Sequence, residues 1–202
     1  MTIVHWDDVD HDDDLAMAVG AGWACLRRVT ITPGEPLHLG DDERETVVWT
    51  LDRDAVLVRR PQDVERSVRA EGTLELLVFA IDAPRPDPLV QPRPSTVVRP
   101  SELEGRRHVD GLTSVTRYDV GEPIGTVGVT LELIDVHPGR RSAPVLDLEE
   151  VTVVLRGTGQ ARTGGQEPWV TRGSVIGQGE RYIAGPQGLR LLCFRERTEP
   201  PR

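Results

Sequence analysis

The chain repeats itself. Leu26 to Gly34 reads LRRVTITPG, and 105 residues later Leu131 to Gly139 reads LELIDVHPG. Eleven residues past each glycine stands a glutamate, Glu45 and Glu150, opening ETVVWTL and EVTVVLR at the same offset. Further on, ERSV and LELLVF (Glu65 to Phe79) match ERYI and LRLLCF (Glu180 to Phe194), now at an offset of 115. The only two phenylalanines, Phe79 and Phe194, fall at equivalent places. The change of offset means that the second copy carries ten extra residues between Gly157 and Gly179, within TGQARTGGQEPWVTRGS. Two copies of one unit placed end to end restrict the architecture to a duplicated fold.

Each copy reads as strands. Short runs such as LRRVTIT, ETVVWTL, TLELLVFA, VTLELIDV and EVTVVLRG are rich in Val, Ile, Leu and Thr and punctuated by Gly and Pro. Helical periodicity is confined to two short candidates, Asp12 to Val19 and Ser101 to Glu104. Residues 83–100 hold six prolines and are expected to form a stiff, extended connector. The chain is thus divided into an acidic N-terminal arm (1–22), a first, shortened repeat (23–82), a Pro-rich linker and connecting segment (83–114), a second repeat (115–197) and a tail (198–202). The arm holds six aspartates and His11 between residues 7 and 14, and reads as a solvated segment or a helix start. Trp6 is expected to anchor it.

Composition closes several functional routes. The chain has 202 residues, a formal net charge of -9, 24 arginines and no lysine. Without lysine there is no Schiff-base chemistry and no phosphate-loop lysine. The acidic balance argues against nucleic-acid binding, and no apolar run approaches a membrane span. There is no G-x-S-x-G and no Cys-x-x-Cys, and the two cysteines, Cys25 and Cys193, are expected to be reduced and buried in a cytoplasmic protein.

The repeat resembles the cupin superfamily. Pro138-Gly139, Glu150, Gly157 and the strand Val151 to Leu155 match the frame of the first cupin motif, and Arg172-Gly173-Ser174 resembles the turn of the second. In the first repeat Pro33-Gly34, His38, Glu45 and Asp52 occupy the same frame. The resemblance implies an all-β protein of two jelly-roll (double-stranded β-helix) barrels in tandem, a bicupin, the first shortened. It also implies a metal held by three histidines and a glutamate, and here the sequence departs. The segment RRSAPVLDLEE (residues 140–150) contains no histidine, nor does Glu180-Arg181-Tyr182. No cofactor is therefore expected. The alternative is one divalent transition metal in the first repeat, held by His38, Glu45 and Glu65.

By strand alternation, a Glu150 that faces the interior takes Thr152 and Val154 with it, and Glu45 takes Val47, Trp49 and Leu51. A carboxylate there needs a partner, and Arg66 or Arg181 stands on the equivalent strand of each repeat. The candidate ligand-binding residues are Glu150, Thr152, Arg181 and Tyr182, with Trp169 at the rim. Glu150 is the charged anchor or base, Arg181 its ion partner, and Tyr182 a hydrogen-bond donor. Two readings stay open: a metal-free bicupin that binds a small molecule in a regulatory or accessory biosynthetic role, and an enzyme. The enzyme is either a metal-independent acid/base isomerase, epimerase or cyclase, or a metal-dependent dioxygenase. The partner expected is a small-molecule ligand, and a homodimer is left open.

Overall fold

The computed structural model describes residues 3–10, 13–39, 44–53, 55–59, 67–82, 97–126, 128–144 and 150–196. Along the first part run β1 (Ile3–His5), α1 (Leu15–Ala18), β2 (Ala24–Ile31), β3 (Pro36–His38), β4 (Arg44–Thr50), β5 (Ala55–Arg59), β6 (Ser67–Arg69) and β7 (Leu74–Asp82). Then come β8 (Val97–Val98), a 3-10 turn (Pro100–Glu102), β9 (Arg106–Asp110), β10 (Thr113–Asp119) and α2 (Gly121–Ile124). The last part holds β11 (Val129–Val136), β12 (Glu150–Arg162), β13 (Trp169–Thr171), β14 (Ser174–Gly177) and β15 (Arg181–Glu196). The protein is mostly β, as the alternating runs require. The two expected helices are single turns, at Leu15–Ala18 and Pro100–Glu102. Most of the Pro-rich connector and Glu65 lie outside the described residues.

The strands form open sheets. One runs β1-β14-β12-β15-β11-β10-β9, with β13 on β12; a second runs β2-β7-β4-β5-β8; β3 and β6 pair alone. The two large sheets share a strand order, β2-β7-β4-β5 in one and β11-β15-β12-β14 in the other. Register follows the repeat: Leu26 lies opposite Phe79, and Leu131 opposite Phe194. Each Pro-Gly pair ends its strand on a glycine of positive φ, 86° at Gly34 and 65° at Gly139, a turn that favours glycine. The ten extra residues of the second copy make a hairpin, in which Thr158 to Gln160 of β12 pair with β13.

Burial divides into three cores. One lies between the two sheets and draws on both halves of the chain: Leu26, Val47, Trp49 and Phe79 meet Leu131, Val151, Val153 and Phe194. At its centre Phe79 and Phe194 stack with ring centroids 4.2 Å apart and planes 13° from parallel. The second core, inside the larger sheet, includes Val115, Ile134, Val154, Tyr182, Leu191 and Cys193. The third, under the first sheet, includes Ile31, Leu39, Val48 and Leu76.

The first segment of the chain is woven into this arrangement. β1 extends the larger sheet by pairing with β14, and Trp6 is 5% exposed beneath the Arg28 guanidinium, 5.0 Å from the ring centroid. Asp14 caps α1, accepting from the N–H groups of Ala16 and Met17, and accepts a third bond from Leu26 N–H at 2.9 Å. Of the six aspartates in the acidic run, this one is a structural anchor. Leu15, Ala16 and Val19 then enter the shared core.

One expectation about the first sheet is overturned. Glu45, Val47, Trp49 and Leu51 were expected to line the first repeat's own interior. Val47 and Trp49 instead face the core shared with the second half, and Val48 faces the first half's own core. The cause is a one-residue difference in register. Thr46 pairs with Ala80, and the matching position of the second sheet pairs Glu150 with Arg195. Since side chains alternate, a shift of one moves every residue of β4 to the other face.

Candidate functional site

Glu150 opens β12 and sits 1% exposed on the face that holds Thr152 and Val154, as the alternation argument expects. Burial of a carboxylate demands partners. Its Oε1 accepts from the Thr152 hydroxyl at 2.6 Å, and its Oε2 accepts from Arg195 Nε at 2.6 Å. Arg195 stands directly opposite Glu150 on β15. The guanidinium reaches on to Glu132, with 3.4 Å between its Nη2 and the carboxylate, and Glu132 also binds Arg117 at 3.1 Å. The ion pair is thus one end of a chain of alternating charge that runs across β15, β11 and β10.

Two further groups face the same carboxylate. Cys193 is buried, with its Sγ 3.5 Å from the Thr152 hydroxyl. Thr152 has one proton, and the shorter contact assigns it to Glu150. Burial first, and then the negative charge of Glu150, holds the Cys193 thiol well above its ordinary range. Tyr182 is 1% exposed, and the same two causes, burial first, push its hydroxyl well above the usual tyrosine value. Its backbone is fixed by Ser142, whose Oγ accepts the Tyr182 N–H at 2.9 Å. The ring lies against Gly179, where a Cβ would stand 2.2 Å from the phenolic oxygen. Among the described residues no group meets that oxygen in full hydrogen-bond geometry; the Thr152 hydroxyl lies close enough to oppose part of the rise, but its one proton goes to Glu150.

β15 brings these groups together because it is long and irregular. It pairs with β12 from Glu150 to Arg162, with register breaks around Arg156 and between Gly157 and Gly159. At the break Gly157 has φ 87°, and a Cβ there would lie 2.0 Å from the Gly188 carbonyl oxygen. This close approach lets one strand contribute Cys193 and Arg195 at one end and Tyr182 at the other.

Of the residues anticipated from sequence, Glu150, Thr152 and Tyr182 share this buried region. Arg181 does not join them. It neighbours Tyr182 on a strand and therefore points to the opposite face, and the cation for Glu150 is Arg195. Trp169 is 69% exposed on β13, outside the buried cluster. Of the alternative metal set, His38 and Glu45 do not come together. His38 is exposed and borders a hollow of about 150 Å³ in the first half, whose wall includes Thr46. Glu45, adjacent to Thr46, turns to the other side of the sheet and accepts from Gly128 N–H at 3.4 Å. Glu65 lies outside the described residues. Among the described residues no group of three or more His, Cys, Asp or Glu is placed to hold a metal ion.

Sequence reasoning missed Arg195 and Cys193. Both stand in the last strand, two residues apart, so they share a face. Pairing the last strand against EVTVVLR would have set Arg195 opposite Glu150.

No family model and no curated protein matches the chain. Solved structures do. A putative glyoxylate-induced protein from Pseudomonas aeruginosa superposes with a TM-score of 0.67 at 15% identity, over 90% of this chain and 77% of that one. Protein Ylba from E. coli gives 0.68 at 11% identity, over 99% and 92%. A mutant of oxalate decarboxylase from Bacillus subtilis gives 0.69 at 11% identity, over 100% and 78%. The chain has a cupin-type, all-β jelly-roll fold.

Proposed function

We propose that the chain is a metal-free bicupin that binds a small molecule in its second repeat, in a regulatory or accessory role. In this reading residues 23–82 and 115–197 are two jelly-roll units, the first shortened, joined back to back through the core that holds Phe79 and Phe194. The shared strand order and matching register support the duplication. No histidine occupies the second repeat's motif positions, and His38 and Glu45 diverge in the first, which supports a site that works without metal.

The observation that carries the reading is the Tyr182 hydroxyl, buried and without a hydrogen bond of full geometry among the described residues, beside a Thr152 hydroxyl whose proton and a Glu150 carboxylate whose oxygens are already engaged. Leaving such a donor unmade costs about 1–3 kcal/mol, which a ligand acceptor recovers. The ligand class this fits is a small molecule with a hydrogen-bond acceptor for Tyr182. Arg195, 23% exposed, is the member of the cluster that reaches solvent, its charge shared between Glu150 and Glu132. Because both oxygens of Glu150 are occupied, the carboxylate is better suited to hold Arg195 in place than to take a proton from a substrate. No observation favours the catalytic alternative.

The test is a thermal-shift and calorimetric screen with small carboxylic acids, oxalate and glyoxylate among them, and small polyols. Saturable stabilisation of the wild-type protein is expected from at least one compound. Tyr182→Phe should fold with unchanged or slightly raised stability and lose that response. No response to any compound, or an equal response from Tyr182→Phe, overturns the reading.

A further inference from the structure

Among the described residues strand β9 ends the larger sheet, and all five of its residues are exposed. A sheet edge presents backbone groups that seek another strand. Which groups face outward follows from the neighbouring strand. Ser114 N–H donates to the Arg141 carbonyl, and the Ser114 carbonyl accepts from His137 N–H. Ser114 thus turns its backbone away from β9. Val109 stands opposite Ser114, so its own N–H and C=O point to the open edge. Alternation places those of Arg107 there as well, while Arg106, His108 and Asp110 spend theirs on β10.

We propose that this edge is where two copies of the chain join, β9 against β9, antiparallel about a two-fold axis at His108. The larger sheet then continues across the dimer. In this register Arg107 of one copy exchanges both backbone hydrogen bonds with Val109 of the other. Arg106 falls opposite Asp110 of the second copy, twice, at non-hydrogen-bonded positions where side chains come closest. The two other registers that let outward groups meet are poorer. Centring on Arg107 sets that arginine against itself. Centring on Val109 pairs Arg107 with Gly111, whose φ of 55° places it in the turn. A strand that reads Arg-Arg-His-Val-Asp is therefore self-complementary in one register, as a two-fold contact requires. Val109, 59% exposed, gains cover from the aliphatic stem of Arg107 in the second copy.

Two five-residue strands bury less than the roughly 1,000 Å² of a stable interface, so the dimer is weak and reversible. Sedimentation velocity of the full chain, from about 1 µM to 1 mM, reads it. The weight-average mass is expected to rise toward twice the monomer. Val109→Pro should abolish that rise and leave the monomer folded, because proline is tolerated where a strand N–H faces the open edge. Circular dichroism checks the fold. Asp110→Arg and Arg106→Asp should each weaken association at least tenfold, and the double exchange Arg106→Asp/Asp110→Arg should restore it. A monomer at every concentration overturns the proposal. So does a dimer that Val109→Pro leaves intact, or one that the double exchange fails to restore.

Discussion

Replacing Arg195 by methionine keeps most of the side chain's length and strands the charge it serves. The Glu150 side chain is fully buried, and after the change it retains, among the described residues, only the Thr152 hydroxyl at 2.6 Å. Breaking a buried ion pair from one side costs about 3–5 kcal/mol, because the remaining charge is left without compensation. Arg195 is 23% exposed, and some water reaches the pair, which places the expectation near about 3 kcal/mol. Glu132 adds nothing to the loss, since Arg117 still holds it at 3.1 Å. For a chain of this size 3 kcal/mol corresponds to a fall in Tm of roughly 6–12 °C. The assay is urea unfolding at pH 7, with Glu150→Gln, Arg195→Met and the double variant closing a cycle. The double variant should be more stable than Arg195→Met alone, with a coupling of about 2 kcal/mol or more. A loss under about 1 kcal/mol for Arg195→Met, the size of a surface pair, would refute the reasoning. Additive losses in the double variant would refute it equally.

Gly157→Ala should cost about 2 kcal/mol or more, since its Cβ meets the Gly188 carbonyl, whereas Gly139→Ala, with positive φ but open space, should cost nearer about 1 kcal/mol in the same denaturation assay. At pH 8 a thiol reagent should modify Cys25, which is half-buried, before Cys193, which is fully buried; burial raises both thiols, that of Cys193 further, and mass spectrometry of the labelled chain with and without denaturant separates the two. Tyr182 ionises at a higher pH folded than unfolded, so its contribution to stability is complete below its ordinary pKa of about 10 and is lost as pH rises above it; Tyr182→Phe should flatten that alkaline loss in unfolding measured at pH 9 and 11. Asp14→Ala removes the acceptor of three backbone N–H groups and should lower stability by about 1–2 kcal/mol in thermal unfolding, with Asp14→Asn recovering most of it.

The repeat made much of the fold legible. It located β2 and β11 and the partners Phe79 and Phe194, and the change of offset located the hairpin of β12 and β13. It did not reveal which face of β4 looks where. ETVVWTL is apolar on both sides, since that strand lies between two cores, and such a run has no alternation from which to read its orientation. Glu45 was matched to Glu150 by spacing, yet Thr46 occupies the equivalent place in the sheet. EVTVVLR was easier, because Glu150 and Thr152 mark one face as polar. The partner of Glu150 escaped because it depends on pairing between strands 45 residues apart, and a strand's own pattern carries no information about its neighbour's register. The N-terminal arm was read as a solvated segment or a helix start anchored by Trp6, and the helix start at Asp14 and the buried Trp6 are found, whereas the pairing of Ile3 with β14 was not legible. Three apolar positions, Ile3, Trp6 and Leu15, with the capping carboxylate of Asp14, decide its placement.

The pairing of β1 with β14 also sets an order of events during synthesis. Ile3, Val4 and His5 leave the ribosome well before their partners, Ile176, Val175 and Ser174. At about 5–20 residues per second, translation of the intervening chain takes on the order of 10–30 s. Through that interval the Ile3–His5 strand has no place to dock, and Trp6 lacks the Gly173 backbone against which its indole nitrogen packs. The Ile3–His5 segment is consequently among the last of the strands to reach its native position. A ribosome stalled before residue 174 should expose this segment to proteases that the finished protein resists.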